Sequence, residues 1–388
     1  MIRLPYVYVY GYVCEHIGIE EMNKTTPPTA TLIDDEMVDL YVFILPAIVF
    51  FGLCGNTISL VTIFHTRLRE ISANHYLIAL TTADSVFLLG LLLILFKFDF
   101  IAYEICVIIE YILTTSSYVS SWSIAALTIE RYMAIAHPLK HVTYGHVERW
   151  KIILCWLPIP FAFNLIQFIS LIPYNDETDP HYPNIRKCVP YDGQLQVIAE
   201  GADVILCYLV PCLIVVALNL LVAGKVKSSN RGFRQQHGSS INSRRQGGKT
   251  CSNNGSTKIL LVVPLVYILL NTPFYLMRMT DTIALNVFQS KEFSIIGGLH
   301  GAGIIFIYNT SHYLYYFNFA CDVIVYAFSS SNFRRTAVIA WKEILCPRYR
   351  QHKIILNERA SRFSYGLTSM AERERPSSGN ISTRGIDI

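Results

Sequence analysis

Apolar residues gather along the chain in seven stretches, which we bound at 40–64, 75–97, 105–134, 150–172, 198–224, 258–282 and 304–328, with polar segments between them. A hydrocarbon core about 30 Å thick needs roughly 20 residues of helix to cross it. Lipid offers no partner to a backbone N–H or C=O, so each stretch is predicted as a helix that keeps its backbone bonds internal. The pattern predicts an all-α membrane protein with a seven-transmembrane helix bundle over 40–328. Past the seventh stretch the period changes. Val338, Ile339, Trp341, Ile344 and Leu345 interleave with polar residues, which predicts a short amphipathic helix over 329–346 lying on the inner membrane surface.

The segments around the spans are polar for different reasons. Residues 1–39, with the run Thr25-Thr26-Pro27-Pro28-Thr29, read as a flexible N-terminal extension, and 347–388, rich in Ser, Thr and Arg, as a disordered tail. The stretch 228–257 is rich in Ser, Asn, Gly and Gln and reads as a mobile connector. A hydrophobic fraction of 52% against 15% charged residues is more apolar surface than one soluble core would use, in keeping with the spans.

Charge orients the bundle. Lys225, Lys227, Arg231, Arg234, Arg244, Arg245, Lys249 and Lys258 fall in one loop region without a single Asp or Glu, and Arg67 and Arg69 sit in the first short loop. Residues 1–39 hold seven acidic residues against Arg3 and Lys24. Lys and Arg are retained on the cytosolic side, so the N-terminus is expected outside a plasma-membrane protein. Met1–Val13 is apolar but lacks a small-residue cleavage site, and the first span is expected to serve as the insertion signal. A formal net charge of +4 invites a nucleic-acid partner, but these cations lie beside membrane spans with no aromatic stacking platform among them, and none is expected.

Topology also sorts the cysteines and sequons. Most cysteines fall within spans as small buried hydrophobes. Cys106, at the outer start of span three, and Cys188, in the longest outer loop, share the oxidising side and are the candidate disulfide, while Cys14 is outside without an evident partner. Asn23-Lys24-Thr25 is a glycosylation sequon in the outer extension. Asn309 lies too near the membrane for modification, and Asn254 and Asn380 fall on the cytosolic side. Cys346, beside Arg348, Arg350 and Lys353, is a palmitoylation candidate.

Enzymatic chemistry finds no residues here: the chain carries no Walker-type glycine loop, no Cys-x-x-Cys and no His-Glu-x-x-His, so no enzyme is expected. Charged groups at membrane depth carry the remaining signal. Glu130-Arg131-Tyr132 ends span three, and a charge at the bilayer centre costs about 2.5–3.5 kcal/mol, so Arg131 calls for a partner or an aqueous cleft. Asp84 and Asp322 pose the same demand in spans two and seven.

An ordered set of landmarks over roughly 40–345 resembles the rhodopsin-like G-protein-coupled receptors. It comprises Gly55-Asn56, Asp84 within Leu80-Thr81-Thr82-Ala83-Asp84, Cys106, Glu130-Arg131-Tyr132 followed by His137-Pro138-Leu139, Trp156, Pro211, Pro273 and Asp322-x-x-x-Tyr326. The resemblance implies a G-protein coupling switch at Glu130, Arg131, Tyr132 and Tyr326. In that switch Arg131 pairs with Glu130 at rest, then with partner carbonyls or a core tyrosine when the cleft opens. It also implies a sodium ion, as an allosteric cofactor, held by Asp84, Ser120, Asn318 and Asp322. The implied partners are a heterotrimeric G protein, arrestin and receptor kinase on the tail, and membrane lipid. Departures fall in the relay: Asn271 stands where the family usually has Trp, Val323 where it has Pro, and Asn219 where it has Tyr. A seventh span without the proline kink and a relay through Asn271 and Tyr267 are therefore expected.

In this family the ligand sits between the outer halves of spans three, five, six and seven. Glu110, Leu113 and Ser117 recur at helical spacing on span three. Leu113 replaces the Asp of monoamine receptors, and span seven lacks the Lys that opsins need. Glu200, Asp203 and Arg278 offer both charge signs, the competing reading being a rim ion pair, and His312 completes the candidate ligand-binding set. An extracellular peptide with a basic residue near an amidated end suits these carboxylates. Leu270–Met279 is similar to span six of invertebrate FMRFamide-like neuropeptide receptors. Two alternatives stand beside the signalling receptor: an ion-coupled transporter or channel using Asp84, Asp203 and Asp322, and a receptor-like protein that binds without signalling.

Overall fold

The computed structural model describes residues 28–66, 72–96, 102–143, 149–175, 186–190, 194–238, 254–286, 288, 302–329 and 331–346. Asn23, Cys14 and the tail from 347 lie outside them, as does the side chain of Tyr326. Span one is a helix over Pro28–His65, span two over Ser72–Leu95 and span three over Tyr103–Ala136. A short helix, Pro138–Thr143, follows span three. Span five runs as helix from Gln194 to Gly238, with a wider π turn at Val204–Leu209, and span six covers Asn254–Asn286. The connector expected over 228–257 is thus shorter, because both flanking helices extend into it. A helix occupies Ser331–Leu345; the bundle up to Arg335 and the segment from Thr336 form separate compact units.

Neighbouring spans pack one against two, two against three, three against five, six against seven, and seven back against one. Among the described residues, four helices are long and apolar enough to cross a membrane by composition alone: Phe43–His65, Asn74–Leu95, Arg149–Ser170 and Val197–Lys225. Span three is diluted by Thr114, Thr115, Ser116, Ser117, Ser120, Ser121 and Ser123, all buried inside the bundle. A helix surrounded by other helices can carry hydroxyls, since neighbours rather than lipid satisfy them. Thr114 and Thr128 donate to the Glu110 and Ile124 carbonyls of their own helix.

Spans four and seven are broken. Span four runs as Arg149–Trp156, Pro158–Asn164 and Gln167–Ser170, since Pro158 has no N–H to continue the ladder and its ring crowds the preceding turn. The chain then leaves helix in a two-stranded antiparallel hairpin, β1 (Leu171–Asn175) with β2 (Arg186–Pro190), in which Pro173 faces Cys188. This hairpin lies in the loop after span four and leaves the bundle itself all-α, and the helix of span four ends at Ser170 rather than 172. Span seven lacks the usual proline, yet its helix is interrupted at Cys321, between Ala302–Ala320 and Asp322–Ser329. The backbone ladder nevertheless runs through it, the Cys321 N–H donating to the Phe317 carbonyl and the Val325 N–H to the Cys321 carbonyl, both at 3.0 Å, while Cys321 Sγ donates to the Asn318 carbonyl at 3.4 Å.

The π turn of span five has a visible cause and a visible compensation. Its register shift sends the Val210 N–H to the Ile205 carbonyl and strips Leu206 of its α-helical partner. The Trp122 indole of span three donates to that freed Leu206 carbonyl at 3.1 Å. Pro211 follows directly and contributes no N–H of its own.

Spans one and seven approach closely because Gly52 has no side chain: a Cβ there would sit 2.6 Å from Leu88 Cδ1, 2.7 Å from Ala320 Cβ and 3.0 Å from Ala320 Cα. The last contact is to backbone, which cannot swing aside. Gly52→Val is expected to destabilise the bundle by about 1–3 kcal/mol through overpacking, read as a lower thermal inactivation midpoint of purified protein. Beside it Asn56 Nδ2 donates to the Phe319 carbonyl at 3.1 Å, a second tie between the two spans.

Candidate functional site

The region around Glu130 is built from three elements. Glu130, near the end of span three, presents Oε1 to Arg149 Nη2 at 2.7 Å and Arg149 Nε at 3.1 Å. His141 Nε2, from the short helix after span three, lies 2.9 Å from the same oxygen. Arg149 is only 5% exposed, so this is an ion pair largely withdrawn from water. Neither Arg149 nor His141 belonged to the expected switch. The signal was present in the sequence: Arg149 is the residue before the apolar run bounded at 150, where a cation reads as an interface anchor. Arg131 is half-buried one residue on, and the Tyr132 ring meets His137 edge-on at 5.9 Å. Lys225 Nζ donates to the Ala136 carbonyl at 3.2 Å and ties span five to this end of span three. Asn219, in the place of the expected relay tyrosine, donates to the Val215 carbonyl of its own helix at 2.6 Å.

In the middle of the bundle, Ser120 Oγ donates to Asp84 Oδ1 at 2.6 Å, and the Asp84 and Asp322 carboxyl groups approach within hydrogen-bonding reach. Asn318 is buried beside them in sequence, and Asp322 Oδ2 is buried with no hydrogen-bond partner among the described residues. Two carboxyl groups this close and this dry repel when both are charged, so the arrangement calls for a shared proton or a cation. Above them Phe87 stacks on Phe319 with centroids 3.7 Å apart.

Toward the hairpin end the space between spans three, five, six and seven is filled by aromatic rings. Phe274 stacks on Tyr315 at 4.2 Å and Tyr208 on Tyr275 at 4.5 Å. Ser117 Oγ and Tyr315 Oη share a hydrogen bond of 2.8 Å, and Tyr275 Oη donates to Cys207 Sγ at 3.2 Å. Asn271 and Tyr267, expected as a relay, connect within span six: Asn271 Nδ2 donates to the Tyr267 carbonyl at 2.8 Å.

The ligand-binding candidates divide. Ser117 belongs to the aromatic cluster just described. Leu113, 0% exposed, packs against Gly90 of span two, where a Cβ would come within 2.8 Å of Leu113 Cδ2. It packs between spans two and three. Glu110 is half-buried one turn above. His312 is buried between Phe274 and Tyr308 and donates from Nδ1 to the Tyr308 carbonyl at 2.9 Å. Asp203 Oδ2 and Arg278 Nη1 form an ion pair at 2.7 Å between spans five and six, with the guanidinium 5.9 Å over the Phe274 ring. Thr282 Oγ1 donates to Glu200 Oε2 at 3.4 Å one turn further out. The competing reading of these charges, an interhelical pair, is what the structure forms for Asp203 and Arg278.

A disulfide joins Cys106 to Cys188 and fixes β2 to the start of span three. The Tyr103 hydroxyl donates to the Leu171 carbonyl at 2.7 Å and holds β1 to the same helix.

A bundle of seven spans, a disulfide-anchored hairpin at one end and a charged Glu-Arg-Tyr run at the other are the features of a heptahelical receptor. The family model described as "7 transmembrane receptor (rhodopsin family)" matches residues 55–329, and the chain belongs to that family. It is 24% identical over 337 residues to the somatostatin receptor type 2 of Mus musculus, covering 85% of this chain and 82% of that one. To the somatostatin receptor type 1 of Rattus norvegicus it is 22% identical over 345 residues, covering 85% and 78%. To the B1 bradykinin receptor of Canis lupus familiaris it is 27% identical over 179 residues, covering 43% and 49%. The protein is a multi-pass membrane receptor and not an enzyme, and the ion-coupled transporter alternative gives way to this assignment.

Proposed function

We propose that this receptor sits in the plasma membrane with its N-terminus outside, binds an extracellular peptide, and activates a heterotrimeric G protein through its Arg131 end. The observation behind the peptide reading is that spans five and six carry both charge signs toward the hairpin end: Asp203 and Arg278 satisfy each other at 2.7 Å at rest, a pair that a charged ligand would exchange for its own groups, with Glu200 one turn out. A peptide brings both a basic side chain and carbonyl groups, so it can engage acidic and basic partners on neighbouring helices at once. The names of the relatives, receptors for somatostatin and bradykinin, support the same class of ligand. A sodium ion between Asp84 and Asp322 is part of the proposal: Asp322 Oδ2 is a buried oxygen awaiting a partner, and Ser120 and Asn318 add neutral oxygens suited to a hard cation. When bound, the ion would neutralise the paired carboxyls and favour the resting arrangement.

A panel of amidated peptides applied to cells expressing the receptor tests the reading, with calcium and cyclic-nucleotide responses recorded. At least one basic peptide is expected to evoke a response that Arg131→Ala removes while surface expression is retained. A full response in the Arg131→Ala receptor would overturn the coupling mechanism, and a panel active only for non-peptide amines would overturn the ligand class.

A further inference from the structure

Three side-chain contacts join spans five and six like the rungs of a ladder. Outermost is the Asp203–Arg278 ion pair at 2.7 Å. One turn further in on both helices, Tyr275 Oη donates to Cys207 Sγ at 3.2 Å. Innermost is the 2.7 Å hydrogen bond shared by Tyr208 Oη and Thr272 Oγ1.

The middle rung is the weak one. A thiol sulfur is a poor acceptor that works at long range, whereas the rungs on either side are an ion pair and an O–H···O bond of ordinary length. It is also the most connected. Ser117 Oγ and Ser121 Oγ of span three lie 3.4 and 3.9 Å from the same sulfur, and Ser117 Oγ shares a 2.8 Å bond with Tyr315 Oη of span seven. Cys207 is 1% exposed and lies inside the π turn, whose freed Leu206 carbonyl is held by Trp122. A small buried hydrophobe, the expectation for cysteines within spans, does not describe this residue, because hydroxyls of spans three and six converge on it. Its sulfur is the only hydrogen-bond partner of Tyr275 Oη among the described residues, on a side chain that is itself buried. Parting spans five and six at this level therefore strands a hydroxyl in a dry core.

Loss of the outer rung transfers the restraint inward. A charged ligand that exchanges the Asp203–Arg278 pair for its own groups leaves the sulfur contact as the next tie between the two helices. Pro273 follows Thr272 directly and leaves the Leu269 carbonyl without its helical N–H, so span six bends most easily at the same level.

We propose that Cys207 is a positioning residue for signalling, a yielding joint whose sulfur holds spans three, five and six together at rest and releases Tyr275 when the outer pair is exchanged. The inference deepens the peptide reading and rests on it for the event that exchanges the pair. The joint itself is measurable without a ligand.

Nitroxide labels on Leu139→Cys, 84% exposed in the short helix after span three, and on Lys258→Cys, near the start of span six, report the separation of these cytosolic ends by pulsed electron paramagnetic resonance. The other reactive cysteines, Cys14, Cys54, Cys155, Cys251 and Cys346, are replaced by serine. Tyr275→Phe keeps the ring stacked on Tyr208 and removes only the hydroxyl. It is expected to raise the ratio of long to short separations in ligand-free receptor about fivefold, the weight of one hydrogen bond. Cys207→Ala, which also frees Ser117 and Ser121, should raise it at least as far, and adding Tyr275→Phe to it should change nothing more, because one contact can be lost only once. Gly52→Val, which lowers stability away from these rungs, should leave the ratio where it was. An unmoved ratio in Tyr275→Phe or in Cys207→Ala, a further rise on combining them, or an equal rise in Gly52→Val each overturns the proposal, the last by showing that destabilisation alone opens the bundle. If Cys207→Ala fails to reach the membrane, Tyr275→Phe set against Gly52→Val decides the matter. A silent peptide screen beside a fivefold rise sinks the peptide reading alone, and a responsive screen beside unmoved ratios sinks the joint alone.

Discussion

Arg149→Met is expected to be the most damaging single substitution at the switch end, costing about 3–5 kcal/mol of stability and most of the receptor at the cell surface. The reason is asymmetry. Methionine fills much of the space of the arginine stem, so packing changes little. Glu130, however, is left with a carboxylate in a poorly hydrated corner, having lost the Nη2 contact at 2.7 Å and the Nε contact at 3.1 Å together. His141 remains 2.9 Å away and recovers part of the loss. If the cost is that of an unpaired buried charge, then removing the charge should restore stability: Glu130→Gln combined with Arg149→Met is expected to be more stable than Arg149→Met alone. Thermal inactivation midpoints of the three purified variants give the coupling energy directly. A double variant no better than the single one would show that Arg149 acts through packing and that the pair contributes nothing of its own. The same cluster bears on signalling. Three donors on one oxygen, from Arg149 and His141, occupy the Glu130 carboxylate that the proposed switch would otherwise offer to Arg131 alone.

How much of this was legible beforehand depended on whether a residue faces lipid or protein. The seven spans could be read from apolar runs because lipid-facing positions must be apolar, and topology with the oxidising exterior made Cys106 and Cys188 the candidate pair that the structure joins. Span three was recognised by length and neighbours, although its serines and threonines make it too polar to pass as a span by composition. Which charge meets which across spans was open: Asp203 and Arg278 could be read as a rim pair or as ligand contacts, and Arg149 was not read as a partner of Glu130 at all. Nothing in the sequence distance between Glu130 and Arg149, or Asp203 and Arg278, says that they meet, since that is set by how the helices rotate against one another. Leu113 shows the same limit: its spacing with Glu110 and Ser117 puts the three on one helix face, but that it packs against span two follows from Gly90, whose missing side chain leaves room for the leucine. The helix end at Ala320 and the π turn before Pro211 depend on local backbone bonding that the apolar pattern does not carry.

Loss of the disulfide is the second large effect expected, and it should be confined to the hairpin end. The bond closes a loop with a sequence separation of 82, for which the chain-entropy argument gives roughly 4 kcal/mol in a free chain. Spans three and four remain inserted in the bilayer when the bond is cut, so much of that entropy is already lost and the global cost falls toward about 2 kcal/mol. The local cost is different. A two-stranded hairpin is marginal by itself, and without the bond the Tyr103 hydroxyl on the Leu171 carbonyl holds only β1. Cys188→Ser is therefore expected to release β2 and make the Arg186-Lys187 bonds in it open to trypsin, with cleavage at least tenfold faster than in the unsubstituted receptor. Cys106→Ser should give the same rate, and the double variant no more than either single one, because one bond can be lost only once. An additive double variant would mean that each cysteine packs independently of the bond. Unchanged cleavage in all three would mean that the hairpin is held by contacts other than the disulfide, and that the roof over the ligand region is self-supporting.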